Sequence, residues 1–351
     1  MVDETNSPES PPRETDAPRK RKGFPRWLRL LLGSAFAGVF VYFVGRAGID
    51  LWRDASSAAV VANGVALGIT VALTTLWLVA MHAVFLIGLR HWVPGAAVSR
   101  RGTAVVFFRS HLARYIPGKV MQVGTLAAGL MKLGCNGRQA ASAVVMHQIN
   151  FMLSTAAFAL LLAPLLWRAS FDRVDPAIPI AAGTVLVALL LLWIMQPAQL
   201  RRAIERVIPK LQRDAEASTP TSTLPGRALV FTAYLLLTAG QAVTVAPLAV
   251  DLAGGGERSL YPWGWLALCG AYPVARLIGQ LGIATPGGIG VREGAYVLLV
   301  LPIVGGPAAA AIAAWVRLCA IVSELLVFVL AAARAGKPHA PGKNAARVRP
   351  P

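Results

Sequence analysis

The chain has 351 residues, of which 56% are apolar and only 14% are charged, and its mean hydropathy is +0.59. Because soluble globular domains average about 25% charged residues, this composition excludes an ordinary water-soluble fold and predicts an all-α, polytopic membrane protein. The formal net charge of +18 does not indicate nucleic-acid binding, since the basic residues flank apolar runs and no recognition motif accompanies them. Their distribution is instead typical of the positive-inside rule.

The N-terminal segment, residues 1–25, is rich in Pro, Ser and charged residues and has no apolar periodicity, so we expect a disordered cytoplasmic tail. A basic stretch then precedes the first apolar run, as it would in a signal peptide. The small-residue stretch "SAFAG" at 34–38, however, lies inside this run rather than after it, which favours an uncleaved first helix. Residues 26–334 are predicted to form a single transmembrane domain, and 335–351 a basic cytoplasmic tail.

Six apolar runs are long enough to cross a bilayer as helices: 28–46, 65–88, 140–166, 177–196, 228–250 and 307–333. Two further regions, 103–133 and 263–303, are apolar but interrupted by Pro, Gly and charged residues. Each is predicted to be a re-entrant pair of half-helices that enters and leaves the membrane by one face. For the second region the alternative is two complete spans, at 263–283 and 287–303.

The basic loops between these elements fall on one side of the membrane, whereas the loops on the other side are balanced or acidic. By the positive-inside rule, both termini are predicted to lie in the cytoplasm, and the protein is predicted to be a multi-pass protein of the cytoplasmic (inner) membrane.

The order of the elements indicates an internal repeat. A helix, a re-entrant pair and a helix occur at about 65–166 and again, in the opposite direction through the membrane, at about 228–333. Inverted-topology repeats bring two broken elements together near the bilayer midplane, where secondary transporters bind their substrates. We therefore expect the two breaks to meet at one site.

The first break lies in "RSHLARYIPGKV" at 109–120, where Arg109, Arg114 and Lys119 share an apolar neighbourhood that contains no acidic residue. Pro117 disfavours a helical conformation of the residue before it, so one helix is predicted to end there and a new one to begin just after it. Cations inside a membrane mark function by default, and three of them beside a positive helix end are typical of an anion receptor. The alternatives are a mere helix kink, a Lys119 side chain that extends to the cytoplasmic face, and an interfacial position for Arg109.

The second break, "ATPGGIGVREGAYVLL" at 284–299, has the same form. Its glycines allow the backbone to approach a ligand or a neighbouring helix closely, and Arg292 and Glu293 begin the helix that follows. Adjacent helical residues do not face one another, so these two are predicted to need separate partners. Arg292 is then left for a ligand anion. Glu293 is expected to pair with Arg276 or, across the repeat interface, with Arg114 or Lys119.

Polar residues also occur on the other predicted helices. Arg317 and Glu324 are seven positions apart on the last helix, roughly on one face, so they are expected to line the same cavity or to pair through neighbours. His147, Gln148 and Asn150 are expected to form interhelical hydrogen bonds, with a proton relay as the alternative. The sequence contains no zinc site, nucleophile triad, phosphate-binding loop or dinucleotide fingerprint, so no cofactor and no metal is predicted.

The two breaks resemble a known family. "ARYIPGKV" at 113–120 and "TPGGIGVREGAYVLL" at 285–299 are similar to the paired signatures of the flippase-like family, also known as the transmembrane region of lysylphosphatidylglycerol synthases. The resemblance covers roughly residues 28–334, and "WVRL" at 315–318 fits the arginine that the family tends to carry on its last helix. It implies translocation of an anionic lipid, such as an aminoacylated phosphatidylglycerol or a polyprenyl-phosphate-linked saccharide, from the inner to the outer leaflet. One departure is that the family is expected to carry an acidic residue on the helix that holds His147 here.

These observations favour a lipid flippase or lipid-binding carrier that is not an enzyme. The anionic lipid is expected to be held by its phosphate. The predicted headgroup-binding residues are Arg114, Tyr115, Pro117, Gly118, Lys119, Gly287, Gly288, Gly290, Arg292 and Glu293, with Arg109, Arg276, Arg317 and Glu324 as supporting polar residues.

Two alternatives stay open. One is an integral membrane transferase that holds a lipid phosphate in the same pocket while Glu293 or His111 acts as the base. The other is a non-transporting scaffold for a partner lipid synthase or glycosyltransferase. Larger family members carry such an enzyme as a soluble domain, but here the chain ends a few residues after its last predicted helix. Lysyl transfer by this chain is therefore not expected.

Overall fold

A computed structural model of the chain describes residues 62–93, 98–115, 120–170, 224–253, 262–281 and 290–335. Within these ranges it consists of nine α-helices and contains no strand. All of the described residues belong to one compact unit of the chain. The predicted spans 28–46 and 177–196 and the predicted N-terminal tail lie outside the described residues, as does the chain after residue 335.

The helices follow the order of the predicted elements. Their bounds are α1 Gly64–Trp92, α2 Arg100–Ala113, α3 Val120–Lys132, α4 Gly137–Ser170, α5 Leu224–Val243, α6 Ala246–Ala253, α7 Pro262–Leu281, α8 Val291–Val304 and α9 Gly306–Ala335. Among the described residues, four helical stretches are long and apolar enough to cross a membrane: Gly64–Trp92, Gly137–Pro164, Pro225–Ala253 and Gly306–Ala335. They coincide with the predicted spans at 65–88, 140–166, 228–250 and 307–333, so the all-helical class is confirmed for the described residues, and the four apolar helices fit a membrane-embedded protein.

Large apolar side chains cover the outside of this bundle. Val65, Leu161 and Leu298 are examples of exposed side chains on three different helices. Since soluble proteins rarely expose wide contiguous apolar patches, this outer surface is suited to lipid chains rather than to water.

The predicted break in the first apolar region is confirmed, because α2 ends at Ala113 and α3 begins only at Val120. The start of α2 is fixed by Ser99, whose Oγ accepts a hydrogen bond from the Gly102 N–H over 3.0 Å, a usual N-cap arrangement. The predicted span 228–250 is confirmed as the helical stretch Pro225–Ala253, which a turn at Thr244 and Val245 divides into α5 and α6. The physical reason is Pro247, which has no N–H to donate to the carbonyl of Val243 one turn earlier.

The junction between α8 and α9 consists of a single residue, Gly305. Its N–H donates to the Leu301 carbonyl over 2.9 Å, and its own carbonyl accepts from the Ala309 N–H over 3.0 Å, so Gly305 closes one helix and opens the next. Its φ of +81° is a conformation that side-chain-bearing residues rarely adopt. The sharp turn places α8 and α9 side by side.

Two apolar clusters form the core. The first contains residues of α1 to α5, including Phe85, Phe107 and Tyr234, and the second contains mainly residues of α6 to α9. A buried hydrogen bond of 2.6 Å joins His147 Nδ1 on α4 to the Tyr234 hydroxyl on α5. The interhelical role predicted for His147 is therefore confirmed, whereas Asn150 donates to the Met146 carbonyl of its own helix.

The helices pack in pairs that recur along the chain. α2 packs against α3 and α7 against α8, while α3 packs against α4 and α8 against α9. Contacts also join α1–α4 to α5–α9. α1 and α2 both pack against α9, and in the same way α5 and α7 both pack against α4. The end of α2, the start of α8 and the middle of α9 are thereby brought to one place inside the bundle.

Candidate functional site: a buried arginine cluster

Six charged side chains lie together inside the bundle. We call them the arginine cluster: Arg114, Arg276, Arg292, Arg317, Glu293 and Glu324. Arg114 directly follows α2, Arg276 is on α7, Arg292 and Glu293 are in the first turn of α8, and Arg317 and Glu324 are on α9. All six were predicted from the sequence as headgroup-binding or supporting residues.

The cluster is buried and has an excess of positive charge. Arg276, Arg292 and Arg317 are only 8%, 5% and 8% exposed, and the Arg114 side chain is 11% exposed. The two carboxylates differ, since the Glu324 side chain is 3% exposed and that of Glu293 is 22% exposed. Four guanidinium groups thus face two carboxylates, which leaves two positive charges uncompensated within the cluster.

Glu324 joins the end of α2 to α9. Its carboxylate forms an ion pair with Arg114 Nη2 and accepts a hydrogen bond from the Tyr115 hydroxyl over 3.0 Å. Arg114 Nη2 also lies 3.1 Å from the Tyr115 oxygen. The carboxylate is therefore held by two partners that are 210 and 209 positions away in the sequence, which makes it a fixed counter-ion.

Glu293 occupies the start of α8. One of its oxygens lies 3.0 Å from Arg292 Nη2 and 3.8 Å from Arg317 Nε, and the other accepts the Gly290 N–H over 2.8 Å. The prediction that Arg292 and Glu293 need separate partners is wrong. In the first turn the Glu293 carboxylate folds back to cap the helix, and no preceding turn blocks the long Arg292 side chain from reaching it.

Aromatic rings accompany the arginines. The guanidinium carbons of Arg114 and Arg317 lie 5.1 and 5.0 Å from the centre of the Tyr115 ring, within the range of a cation–π interaction. Tyr115 thus connects Arg317, which lies over its ring, to Glu324, which accepts a hydrogen bond from its hydroxyl. Arg317 and Glu324 were expected to line one cavity or to pair through neighbours, and Tyr115 is such a neighbour.

Arg276 has a different environment. Its guanidinium carbon lies 4.7 Å from the Trp77 ring centre and 5.0 Å from that of Phe151, and within the described ranges no carboxylate oxygen lies within 4.0 Å of it. Tyr272 serves Arg292 in the same way, at 5.5 Å. Sequence reasoning missed these three aromatic residues, because an aromatic residue on an apolar helix carries no signal that distinguishes a cation partner from a core residue.

Several guanidinium nitrogens in the cluster have no hydrogen-bond acceptor in the part of the chain that the structure describes. They are Arg114 Nε and both Nη1 and Nη2 of Arg317, and also Arg292 Nη2, whose 3.0 Å contact with Glu293 is an ion pair without hydrogen-bond geometry. A buried charged donor without an acceptor is costly and calls for a specific explanation. Because guanidinium groups match phosphate oxygens in geometry and charge, the arrangement is suited to an anion.

The other predicted site residues, apart from Tyr115, are exposed, engaged elsewhere or outside the described residues. Arg109 is exposed on α2, and Gly290 is exposed at the start of α8. His111, a predicted base, is buried and donates from Nδ1 to the Phe107 carbonyl over 3.1 Å. In the described ranges no three His, Cys, Asp or Glu side chains are grouped as metal ligands would be. Outside the described residues lie Pro117, Gly118, Lys119, Gly287 and Gly288.

No family model and no curated protein matches the chain. The likeness to the flippase-like family therefore rests on the two motifs at 113–120 and 285–299.

Gly279 on α7 fixes how closely α8 approaches the cluster. A Cβ atom at this position would lie 2.8 Å from the Cβ of Arg292 and 3.4 Å from its Cα. We expect Gly279→Ala to lower the free energy of unfolding by about 1–3 kcal/mol, as overpacking does, measured by unfolding in mixed detergent micelles. The matched control is Gly294→Ala on α8, whose Cβ would meet nothing within 4 Å and which should gain up to about 1 kcal/mol of helix propensity. Equal effects of the two substitutions would contradict the close approach.

Proposed function

We propose that this protein binds an anionic lipid by its phosphate headgroup in the arginine cluster and moves it between the leaflets of the cytoplasmic membrane. The observation that carries the proposal is the pair of uncompensated positive charges together with the buried guanidinium nitrogens that lack an acceptor within the described residues. In a low-dielectric interior an unpaired charge is strongly unfavourable. An anion that enters the cluster removes this penalty.

In the proposed mechanism the headgroup phosphate binds to Arg292 and Arg317, which hold most of the unoccupied donors. Glu293 is the counter-ion that shifts away from Arg317 to make room for the phosphate, because it is the more exposed carboxylate and lies 3.8 Å from Arg317, and it remains beside Arg292 as one of the two negative charges of the cluster. Its return to Arg317 then helps to release the lipid. Glu324 stays bound to Arg114 and Tyr115 throughout, and the acyl or prenyl chain remains in the bilayer.

The proposal includes an inverted repeat whose halves are α1–α4 and α5–α9, within a domain of about six full spans and with both termini in the cytoplasm. The recurring helix pairs support it. In this repeat α1 corresponds to α5 and α6 together, α2 to α7, α3 to α8 and α4 to α9. For nearly every pair of helices that pack together, the two corresponding helices also pack together. The two motifs that resemble the flippase-like family lead into equivalent helices of the halves, α3 and α8. Many secondary transporters are built from such repeats, and they open alternately to the two sides as one repeat moves against the other.

Mass spectrometry of co-purified lipids tests the proposal. The wild type is expected to enrich an anionic lipid over the bulk membrane composition, and Arg292→Gln/Arg317→Gln is expected to lose at least about tenfold of this enrichment, since hydrogen bonds to charged groups contribute about 1.5–3 kcal/mol each. The matched control is Arg334→Gln, because Arg334 is on the same helix as Arg317 but exposed. If the double variant is folded by circular dichroism and retains the enrichment, the cluster is not the lipid site.

Transport is tested separately in proteoliposomes. A fluorescent analogue of the enriched lipid, placed in one leaflet, should become accessible to an impermeant quencher in the other leaflet faster with the wild type than with Arg292→Gln/Arg317→Gln. A protein that binds the lipid but does not accelerate its exchange would be a scaffold rather than a carrier.

A further inference from the structure

The ion pairs of the cluster identify which charges are left over. Glu324 is paired with Arg114, and Glu293 lies closest to Arg292. Arg317 reaches Glu293 only at 3.8 Å, and Arg276 is surrounded by the Trp77 and Phe151 rings. The two uncompensated charges therefore belong to Arg276 and Arg317.

The described residues offer no other acid to balance them. They contain one further carboxylate, Asp251 on α6, and its Oδ2 accepts the Asn63 N–H over 2.7 Å at the start of α1. A ligand group with a single negative charge would leave one buried positive charge in the cluster, whereas a group with two would leave none. A ligand ammonium group would meet further cations rather than an unoccupied carboxylate.

The donors are also grouped around one side chain. Arg114 and Arg317 both lie about 5 Å from the Tyr115 ring, at 5.1 and 5.0 Å, and each contributes nitrogens without an acceptor in the described part of the chain. Arg276 lies one turn after Tyr272 on α7, and the Tyr272 ring lies 5.5 Å from the Arg292 guanidinium carbon. The excess charge is therefore concentrated at one place and not distributed over the bundle.

We infer that the headgroup carries two negative charges where it meets the cluster, as the phosphomonoester or the pyrophosphate of a lipid does, and that phosphodiester and aminoacylated headgroups are disfavoured. The inference rests on the proposed function, because it specifies the ligand of the same site. It disfavours an aminoacylated phosphatidylglycerol, which combines a singly charged phosphodiester with at least one ammonium group. Among polyprenyl-linked saccharides it favours those joined through a pyrophosphate, since a single phosphate between the prenyl chain and the saccharide is a phosphodiester with one charge.

Two lipids that differ by one methyl group test this inference. Dioleoyl phosphatidic acid is a phosphomonoester, which carries mostly two charges at about pH 8 because its second pKa is near 6, and dioleoyl phosphatidylmethanol is the corresponding singly charged diester. Binding of each to the detergent-solubilised full chain is measured by native mass spectrometry and by competition. The wild type is expected to prefer phosphatidic acid by about tenfold or more, the value of one additional charge-assisted hydrogen bond.

Variants of the cluster charge sharpen the test. Arg317→Gln removes one uncompensated charge and should reduce the preference for phosphatidic acid to about threefold or less, while Arg334→Gln on the same helix should retain it. Glu293→Gln adds one uncompensated charge and should increase the preference. Inorganic phosphate and pyrophosphate serve as competitors, and they are expected to compete much more weakly than the lipids.

The outcomes separate the inference from the proposed function. Equal binding of the two lipids by the wild type, weakened for both by Arg317→Gln, would overturn the inference and leave the proposed function standing. Binding of neither lipid, or binding that Arg292→Gln/Arg317→Gln leaves unchanged, would overturn both. Competition by inorganic phosphate as strong as that by phosphatidic acid would replace the lipid headgroup with a soluble anion.

Discussion

Glu324→Gln is expected to lower the free energy of unfolding by about 3–5 kcal/mol, the usual effect of removing one partner from a buried ion pair. Glutamine retains the shape of the side chain and an oxygen that accepts from Tyr115, so the substitution removes little more than the charge. Arg114 then remains buried, at 11% exposure, beside three other arginines and with only Glu293 to balance them. Unfolding in mixed detergent micelles, followed by tryptophan fluorescence, measures the change.

The double variant Arg114→Met/Glu324→Leu is the control for this prediction. Replacing both members of a buried ion pair with apolar residues of similar size is often nearly neutral, so the double variant should recover most of the loss. A double variant that is as unstable as Glu324→Gln would show that the position requires its shape and hydrogen bonds rather than its charge balance.

Arg317→Met is expected to act in the opposite direction on stability and to remove lipid binding. Two of its nitrogens are buried without an acceptor in the described residues, and its only carboxylate contact there is 3.8 Å long. Removing an uncompensated cation should raise the free energy of unfolding of the lipid-free protein by about 1–3 kcal/mol. This is a net value, because the substitution also removes the smaller stabilisation from the cation–π contact with Tyr115. Enrichment of the anionic lipid should fall by about tenfold or more in the same variant.

Arg334→Met on the same helix is the matched control, and it should change neither quantity, because Arg334 is exposed. A clear decrease in stability for Arg317→Met would contradict the excess of positive charge. Higher stability together with lost binding is expected for a residue whose buried charge is unfavourable in the free protein and is neutralised only when the ligand binds.

Hydropathy and charge patterns predicted the long helices and the break near Pro117, because both depend on solvation and on local backbone sterics. The same patterns selected the charged members of the cluster, since each charge interrupts an apolar stretch and is expensive to bury. The pairing between them was not predictable in this way. That Glu324 binds Arg114 and Tyr115, more than two hundred positions away, depends on how α2 and α9 are rotated against each other.

The partners of Glu293 were predicted wrongly for a related reason. The rule that adjacent helical residues face apart holds within a helix, but Arg292 and Glu293 occupy its first turn, where the cap at Gly290 draws the carboxylate back. The aromatic partners of Arg276 were also not accessible from the sequence. Trp77 and Phe151 come from α1 and α4, and only the packed bundle brings them to α7.

The single-residue turn at Gly305 has a mechanical consequence. A tilt of α8 against α9 would be centred on this turn, and Glu293 lies twelve residues from it, which corresponds to roughly 18 Å at 1.5 Å per residue. A tilt of about 10° between α8 and α9 therefore displaces the carboxylate by about 3 Å over this length. Since Arg317 is on α9, a small change of the angle between α8 and α9 at Gly305 is sufficient to make or break the contact between Glu293 and Arg317.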